Sequence, residues 1–468
     1  MAKRLCGLLV LLLVACAHIQ DPRRMSFPPV EFHPPDAERR VLENGMVLYL
    51  LEDHELPLVN ISAMVRTGAI YEPPEKIGLA GMTGHLMRTG GAGDLTGDQL
   101  DEELEFMAAD IGSGVGEDAG FASLSVLKKD FDRGLHLFAD VLMHPRFAED
   151  KLTLAKQQTI ETIRRRNDSP HSIISREFRK LLYGPTHPFA HEATIKTVRA
   201  IQREDVVAFH EKYYHPNHLI LGITGDFNKD EMTEKIKQAF TGWKKGDPAL
   251  PSVPPVKEVY QPSVDFIEKD LTQTTLRIGH LSIRQDNPDF FALSILDDIL
   301  GGEAFASRLF KDVRAEKGLA YSVGTILRPG NLDLGVFVAY CDTKAASTQQ
   351  AVAAIVANIR RIQERPVSDE ELQLAKDSFL NSFVFSFSSP DQIVSRQMSL
   401  EYYGLPKDFL QKYRDEVVRV TKEDLLRVAQ KYLHPDGLII LAVGPSDVAQ
   451  QLSTFGPVNK IPLVSPEG

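Results

Sequence analysis

Glu204-Asp205-Val206-Val207-Ala208-Phe209-His210-Glu211-Lys212-Tyr213-Tyr214-His215-Pro216-Asn217-His218-Leu219-Ile220-Leu221-Gly222-Ile223-Thr224-Gly225 decides the architecture, because the chain repeats its key positions. Glu423-Asp424, Tyr432, His434-Pro435, Leu438-Ile439 and Gly444 match it at a constant offset of 219 residues. Upstream, Leu154-Ala155-Lys156 and Ser169-Pro170 return as Leu374-Ala375-Lys376 and Ser389-Pro390, offset by 220. A constant spacing across separate motifs identifies two copies of one fold, each of roughly 200 residues. Between them, Gly246-Asp247-Pro248-Ala249-Leu250-Pro251-Ser252-Val253-Pro254-Pro255 is a proline-rich linker that favours extended backbone.

Working outward, each copy mixes strand and helix periods. Val47 to Leu51 follows Asn44-Gly45, a hairpin signal, and Val59 to Val65 reads as the next strand. Asp98 to Met107 and Asp150 to Arg166 carry helical spacing with acidic first turns. Leu219 to Thr224 is a buried strand stopped by Gly225. The expected class is α+β, a mainly antiparallel sheet covered by helices in each copy. The expected boundaries are 1–15 for a signal peptide, 16–36 for a tether, 37–245 and 263–461 for the two copies, and 246–262 for the linker.

Lys3-Arg4, the apolar run Leu8 to Val14 and Leu13-Val14-Ala15-Cys16 form a secretory signal too short to span a bilayer. Its end resembles a bacterial lipobox, which implies acylation of Cys16, with the outer membrane as destination since Ala17 follows. An ordinary cleaved signal with an incidental cysteine is the alternative. Of the three cysteines, Cys6 leaves with the signal and Cys16 takes lipid, so Cys341 stands alone and no intrachain disulfide is available. Cys341 follows the apolar run Gly335 to Tyr340 and is expected to be a buried, inert strand residue. A formal charge of −11 disfavours nucleic acid and anionic lipid surfaces as partners.

Several motifs in fixed order resemble the pitrilysin (insulinase) family of zinc peptidases. They are Tyr183-Gly184-x-x-His187-Pro188-Phe189, Tyr214-His215-Pro216-Asn217, Gln273 to His280, and above all Phe305 to Val323 with Ser307-Arg308-Leu309-Phe310 and Arg314-Ala315-Glu316-Lys317-Gly318-Leu319-Ala320-Tyr321. The resemblance covers nearly the whole mature chain. It implies that the two copies face each other as a clamshell around a polypeptide-sized chamber.

The family's metal motif is where this chain departs. Gly78-Leu79-Ala80-Gly81-Met82-Thr83-Gly84-His85 stands where Gly-Leu-Ala-His-x-x-Glu-His is expected. Gly81 replaces the first zinc-ligating histidine, Gly84 replaces the general base, and His85 is the only remnant. The third ligand, a glutamate on the helix leading to Asp168-Ser169-Pro170, falls on Thr162, with Glu161 about 100° away around the helix. A catalytic zinc wants three protein ligands and an open position, so no metal and no cofactor is expected in this chain. His85 reads either as a core or rim residue or as a group kept for a substrate backbone. His187, His191, His210, His215 and His218 do not make a second site, since His215-Pro216 belongs to the repeat and Pro188 breaks a helical pair.

What the resemblance retains is Arg314 and Tyr321, the pair that the family's second domain projects into the chamber. A tyrosine O–H suits a developing oxyanion, and a permanently charged arginine suits substrate carbonyls. The glycine-rich segment Ile111 to Gly116 matches either the family's edge strand, which accepts substrate as an added strand, or a plain surface turn. Two functions compete, ahead of an independently active peptidase. One is the non-zinc subunit of a heteromeric periplasmic metallopeptidase, lipid-anchored, working on peptide or unfolded polypeptide with a zinc-bearing homologous partner. The other is a non-enzymatic polypeptide-binding or assembly protein.

Overall fold

The computed structural model describes residues 36–465 apart from 304. The signal segment and Cys16 lie outside the described residues. Two six-stranded sheets form the framework. The first contains β1 (Glu38–Val41), β2 (Val47–Glu52), β3 (Leu58–Val65), β4 (Asp110–Val115), β5 (Gly120–Leu127) and β6 (Leu219–Gly225). The second contains β7 (Ser263–Glu268), β8 (Gln273–Leu281), β9 (Ala320–Arg328), β10 (Val336–Lys344), β11 (Ile439–Gly444) and β12 (Val458–Lys460).

Their orders, β1-β2-β6-β3-β5-β4 and β12-β7-β11-β8-β10-β9, coincide over five strands once the sequence repeat is applied. Most pairs are antiparallel; β2–β6, β7–β11 and β7–β12 are parallel. The two halves differ at one edge. There the first sheet adds β1 through the Asn44-Gly45 hairpin, where Gly45 takes φ +86°. The second sheet adds β12 from the end of the chain.

Each half has its own core. Val59, Ile61, Ala63 and Val65 of β3 point into the first, among Leu86, Phe138 and Ile223. Phe337, Ala339 and Cys341 of β10 point into the second, among Ile278, Leu300 and Ile355. The period of two in β5, exposed at Phe121 and buried at Ala122 and Leu124, is what one covered face requires.

The opposite sheet faces are covered by exchange. Helix Pro170–Tyr183, from the first half, buries Ile173, Ile174 and Phe178 against Ile267, Val338 and Leu441 of the second. Helix Pro390–Tyr402, its counterpart, buries Val394 and Met398 against Tyr49, Met64 and Ile220 of the first. Gly222 on β6 is required there, because a Cβ would run into Val394 and Met398. The linker region is laid over this joint, with Val256 buried and its N–H donated to Asp333 Oδ2 at 2.7 Å.

Candidate functional site

Helix Leu79–Thr89 carries the degenerate motif. Leu79, Ala80, Met82, Leu86 and Met87 are buried, which leaves Gly81 and His85, four residues apart, on the exposed face. His85 is thus a rim residue rather than a core one. Burial of part of its ring, then the neighbouring Arg88 cation, hold its pKa below the ordinary imidazole value.

The helix begins at Gly78 with φ +107° and has no side-chain cap of its own. Glu72 supplies one from the preceding loop. Its Oε1 accepts the Ala80 N–H at 2.6 Å and its Oε2 the Gly78 N–H at 3.0 Å. Burial pushes the Glu72 carboxyl up to about 7, against the pull of the two backbone donors. Sequence reading missed Glu72; its one signal is an acidic residue in a loop just ahead of a helix that lacks a cap.

On the adjoining helix Glu149–Arg165, Ile163 is buried while Glu161 and Thr162 are exposed. Thr162 Oγ1 donates back to the Gln158 carbonyl at 3.0 Å, and Glu161 pairs with Arg164 at 2.5 Å. One imidazole, two glycines and a threonine whose hydroxyl donates to its own helix do not make a zinc site. Among the described residues, no group of three or more His, Cys, Asp or Glu side chains is placed to hold a metal ion. Three of the candidate histidines make scaffold contacts. His187 Nε2 meets the Pro254 carbonyl at 2.9 Å, and His218 meets the Tyr213 and Asp247 carbonyls at 2.9 and 2.7 Å. His210 meets the Leu142 carbonyl at 2.9 Å, with burial lowering its pKa to about 4.

In the second half, helix Phe310–Glu316 is wound wide, with the Lys317 N–H reaching the Asp312 carbonyl five residues back. Gly318, at φ +62°, turns the chain into β9. Here the ladder slips: Asp342 of β10 faces Ser322, but the next residue, Thr343, faces Ala320. Tyr321 is therefore the extra residue of a β-bulge, a device that re-aims a side chain. It is 82 % exposed. The Arg314 guanidinium carbon sits 4.9 Å from the centroids of both the Tyr321 and Phe310 rings. Ring faces hold a guanidinium without consuming its N–H donors. Phe305, itself exposed, meets Phe310 edge-on at 5.2 Å.

Buried polar links brace the elements around this pair. Asp297 Oδ2 accepts the Leu327 N–H at 3.1 Å and its carbonyl accepts Thr325 Oγ1 at 3.3 Å, tying β9 to the helix Phe290–Asp297. Burial raises its carboxyl to about 6. Arg308 grips Glu371 at 2.7 and 2.9 Å. Burial works to raise Glu371, and Arg308 overcomes it, holding the carboxyl down to about 2.

The structure thus joins Arg314 to Tyr321 and puts Gly81 and His85 on one helical face. The glycine-rich segment Ile111 to Gly116 resolves as the edge strand β4 and its end, paired among the described residues to β5 alone, and not as a surface turn. Cys341 is buried in β10, with its thiol pushed up to about 12 by burial.

Comparison with known proteins gives two family matches in series. Residues 48–185 match the model described as insulinase (peptidase family M16), and residues 200–379 match the peptidase M16 inactive domain. A Rickettsia bellii protein named as an uncharacterized zinc protease is 27 % identical over 340 residues, 72 % of this chain and 80 % of its own. One of the same name from Rickettsia felis is 24 % identical over 413 residues, 87 % of this chain and 97 % of its own. A crystal structure titled peptidase M16 inactive domain, from Pseudomonas fluorescens, superposes with a TM-score of 0.80 at 27 % identity, covering 88 % of this chain and 98 % of that one.

Proposed function

This chain belongs to the peptidase M16 (insulinase) family, with that family's two-domain clamshell fold, and from that premise we propose that it is the non-zinc subunit of a heteromeric periplasmic metallopeptidase. Water activation falls to a zinc-bearing homologous partner. This chain supplies Arg314 and Tyr321, together with the β4 edge along which an extended polypeptide can add as a strand. Lipidation of Cys16 would tether the pair, at the outer membrane on the sequence reading.

The observation that carries the proposal is the bulge that presents Tyr321 to solvent with Arg314 stacked on its ring, in a chain whose own metal motif is gone. In this reading the tyrosine O–H donates to the oxyanion as the scissile carbonyl becomes tetrahedral. Arg314, always charged, holds substrate carbonyls or the developing negative charge.

The test combines this chain with a secreted homologue from the same genome that retains His-x-x-Glu-His. Alone, this chain does not cleave peptides; the complex does. Tyr321→Phe lowers kcat about a hundredfold or more, with complex formation and zinc content unchanged. Full activity of a complex carrying both Tyr321→Phe and Arg314→Ala would overturn the division of labour and leave the scaffold reading.

A further inference from the structure

The two glycines of the degenerate motif are not alike. Glycine inside a helix costs about 1 kcal/mol relative to alanine, so each calls for a reason. A Cβ on Gly81 would meet nothing within 4 Å. A Cβ on Gly84 would fall 2.5 Å from the carbonyl carbon and 2.7 Å from the Cα of Gly114, and closer still to the Val115 nitrogen. Those are backbone atoms of β4, which cannot swing aside as the end of a side chain can.

Around this contact the helix is stitched to the strand. Ser113 Oγ donates to the Gly84 carbonyl at 2.6 Å. One turn further on, Arg88 Nε donates to the Ile111 carbonyl at 3.2 Å, while its other end is paired with Asp101. The glycine and the two polar links face β4 along its length.

We infer that Gly84 is the seat of β4, and that the helix which in a zinc peptidase carries the metal serves here as the clamp of the sheet's edge. The backbone of Gly114 and Val115 occupies the room that the side chain of a general base would need at position 84. Restoring Gly84→Glu therefore displaces the strand instead of reinstating a base, whereas Gly81 and the exposed Thr162 can be changed freely. Ser113 and Arg88 hold this edge strand to the helix. The inference concerns the isolated chain, so it stands or falls separately from the partner-dependent reading above.

The experiment measures thermal unfolding and amide hydrogen exchange on the purified chain. Gly81→Ala leaves the melting temperature unchanged or raises it. Gly84→Ala lowers it and speeds exchange in residues 110–115 roughly tenfold or more relative to the rest of the sheet. Ser113→Ala, which removes one hydroxyl and no packing, speeds exchange in the same segment by a smaller factor. If Gly84→Ala does not fold, Ser113→Ala decides alone: unchanged exchange in 110–115 overturns the inference, as does a Gly84→Ala protein as stable and as protected as the original.

Discussion

Substitution of Glu72 by glutamine separates the capping role of this residue from its charge. In the folded chain its carboxyl is raised from 4.5 to about 7 by burial. Ionising it there costs about 3 kcal/mol more than in the unfolded chain. The sign follows directly. The folded state holds the proton more tightly, so this contribution to stability is fully present below pH 4.5 and is lost as pH rises through about 7.

Glutamine cannot titrate and offers one acceptor where the carboxyl serves both the Gly78 and Ala80 N–H groups. An unsatisfied buried N–H costs about 1–3 kcal/mol. Glu72→Gln is therefore less stable than the original by about that amount at low pH, and equal to it or slightly more stable at pH 8. The assay is denaturant unfolding of both proteins at several pH values from below 4.5 to 8. Asp297 and Asp298, also raised by burial, to about 6 and about 7, tilt both curves alike and cancel in the difference. Parallel curves would refute the reasoning.

Two further outcomes follow from burial alone. Cys341 does not react with a thiol reagent in the folded protein and reacts fully on unfolding, because it is inaccessible and its thiol is pushed up to about 12; titration with such a reagent before and after denaturant checks this. Met398→Ala costs about 2–5 kcal/mol and, though it lies on a helix of the second half, accelerates hydrogen exchange chiefly in β2, β3 and β6, whose Tyr49, Met64 and Ile220 it covers.

Much of the frame is legible in the sequence. The offset of 219 in the strand-turn motif maps β6 onto β11, and the five-strand orders then coincide. The Asn44-Gly45 turn and the apolar segments after it mark β2 and β3. Periodicity cannot say which sheet a helix covers, however. The apolar face of Pro170–Tyr183 announces burial, and only the folded chain shows that it lies on the other half's sheet. The same holds at the site. Ala320-Tyr321-Ser322-Val323 fits plain alternation, while the bulge that presents Tyr321 depends on pairing with β10. Glu72 sits outside the short-range capping pattern, and the edge-strand identity of Ile111 to Gly116 is set by β5, since its glycines suit a turn equally well.

The helix that bears the degenerate motif and the segment that presents Tyr321 are built in opposite ways, and the physical cost of each is informative. In the first half, the helix after β3 has closed onto β4, filling the space at Gly84 with backbone and leaving a single imidazole at the rim. That arrangement gains packing. In the second half, the chain accepts a widened helix, an irregular strand and an aromatic residue left in water. Each of these opposes stability: a bulge forfeits ladder pairing, and an exposed tyrosine forfeits burial of its ring. On the proposed reading, these costs make the surface around Arg314 and Tyr321 the place to look for a ligand or partner chain.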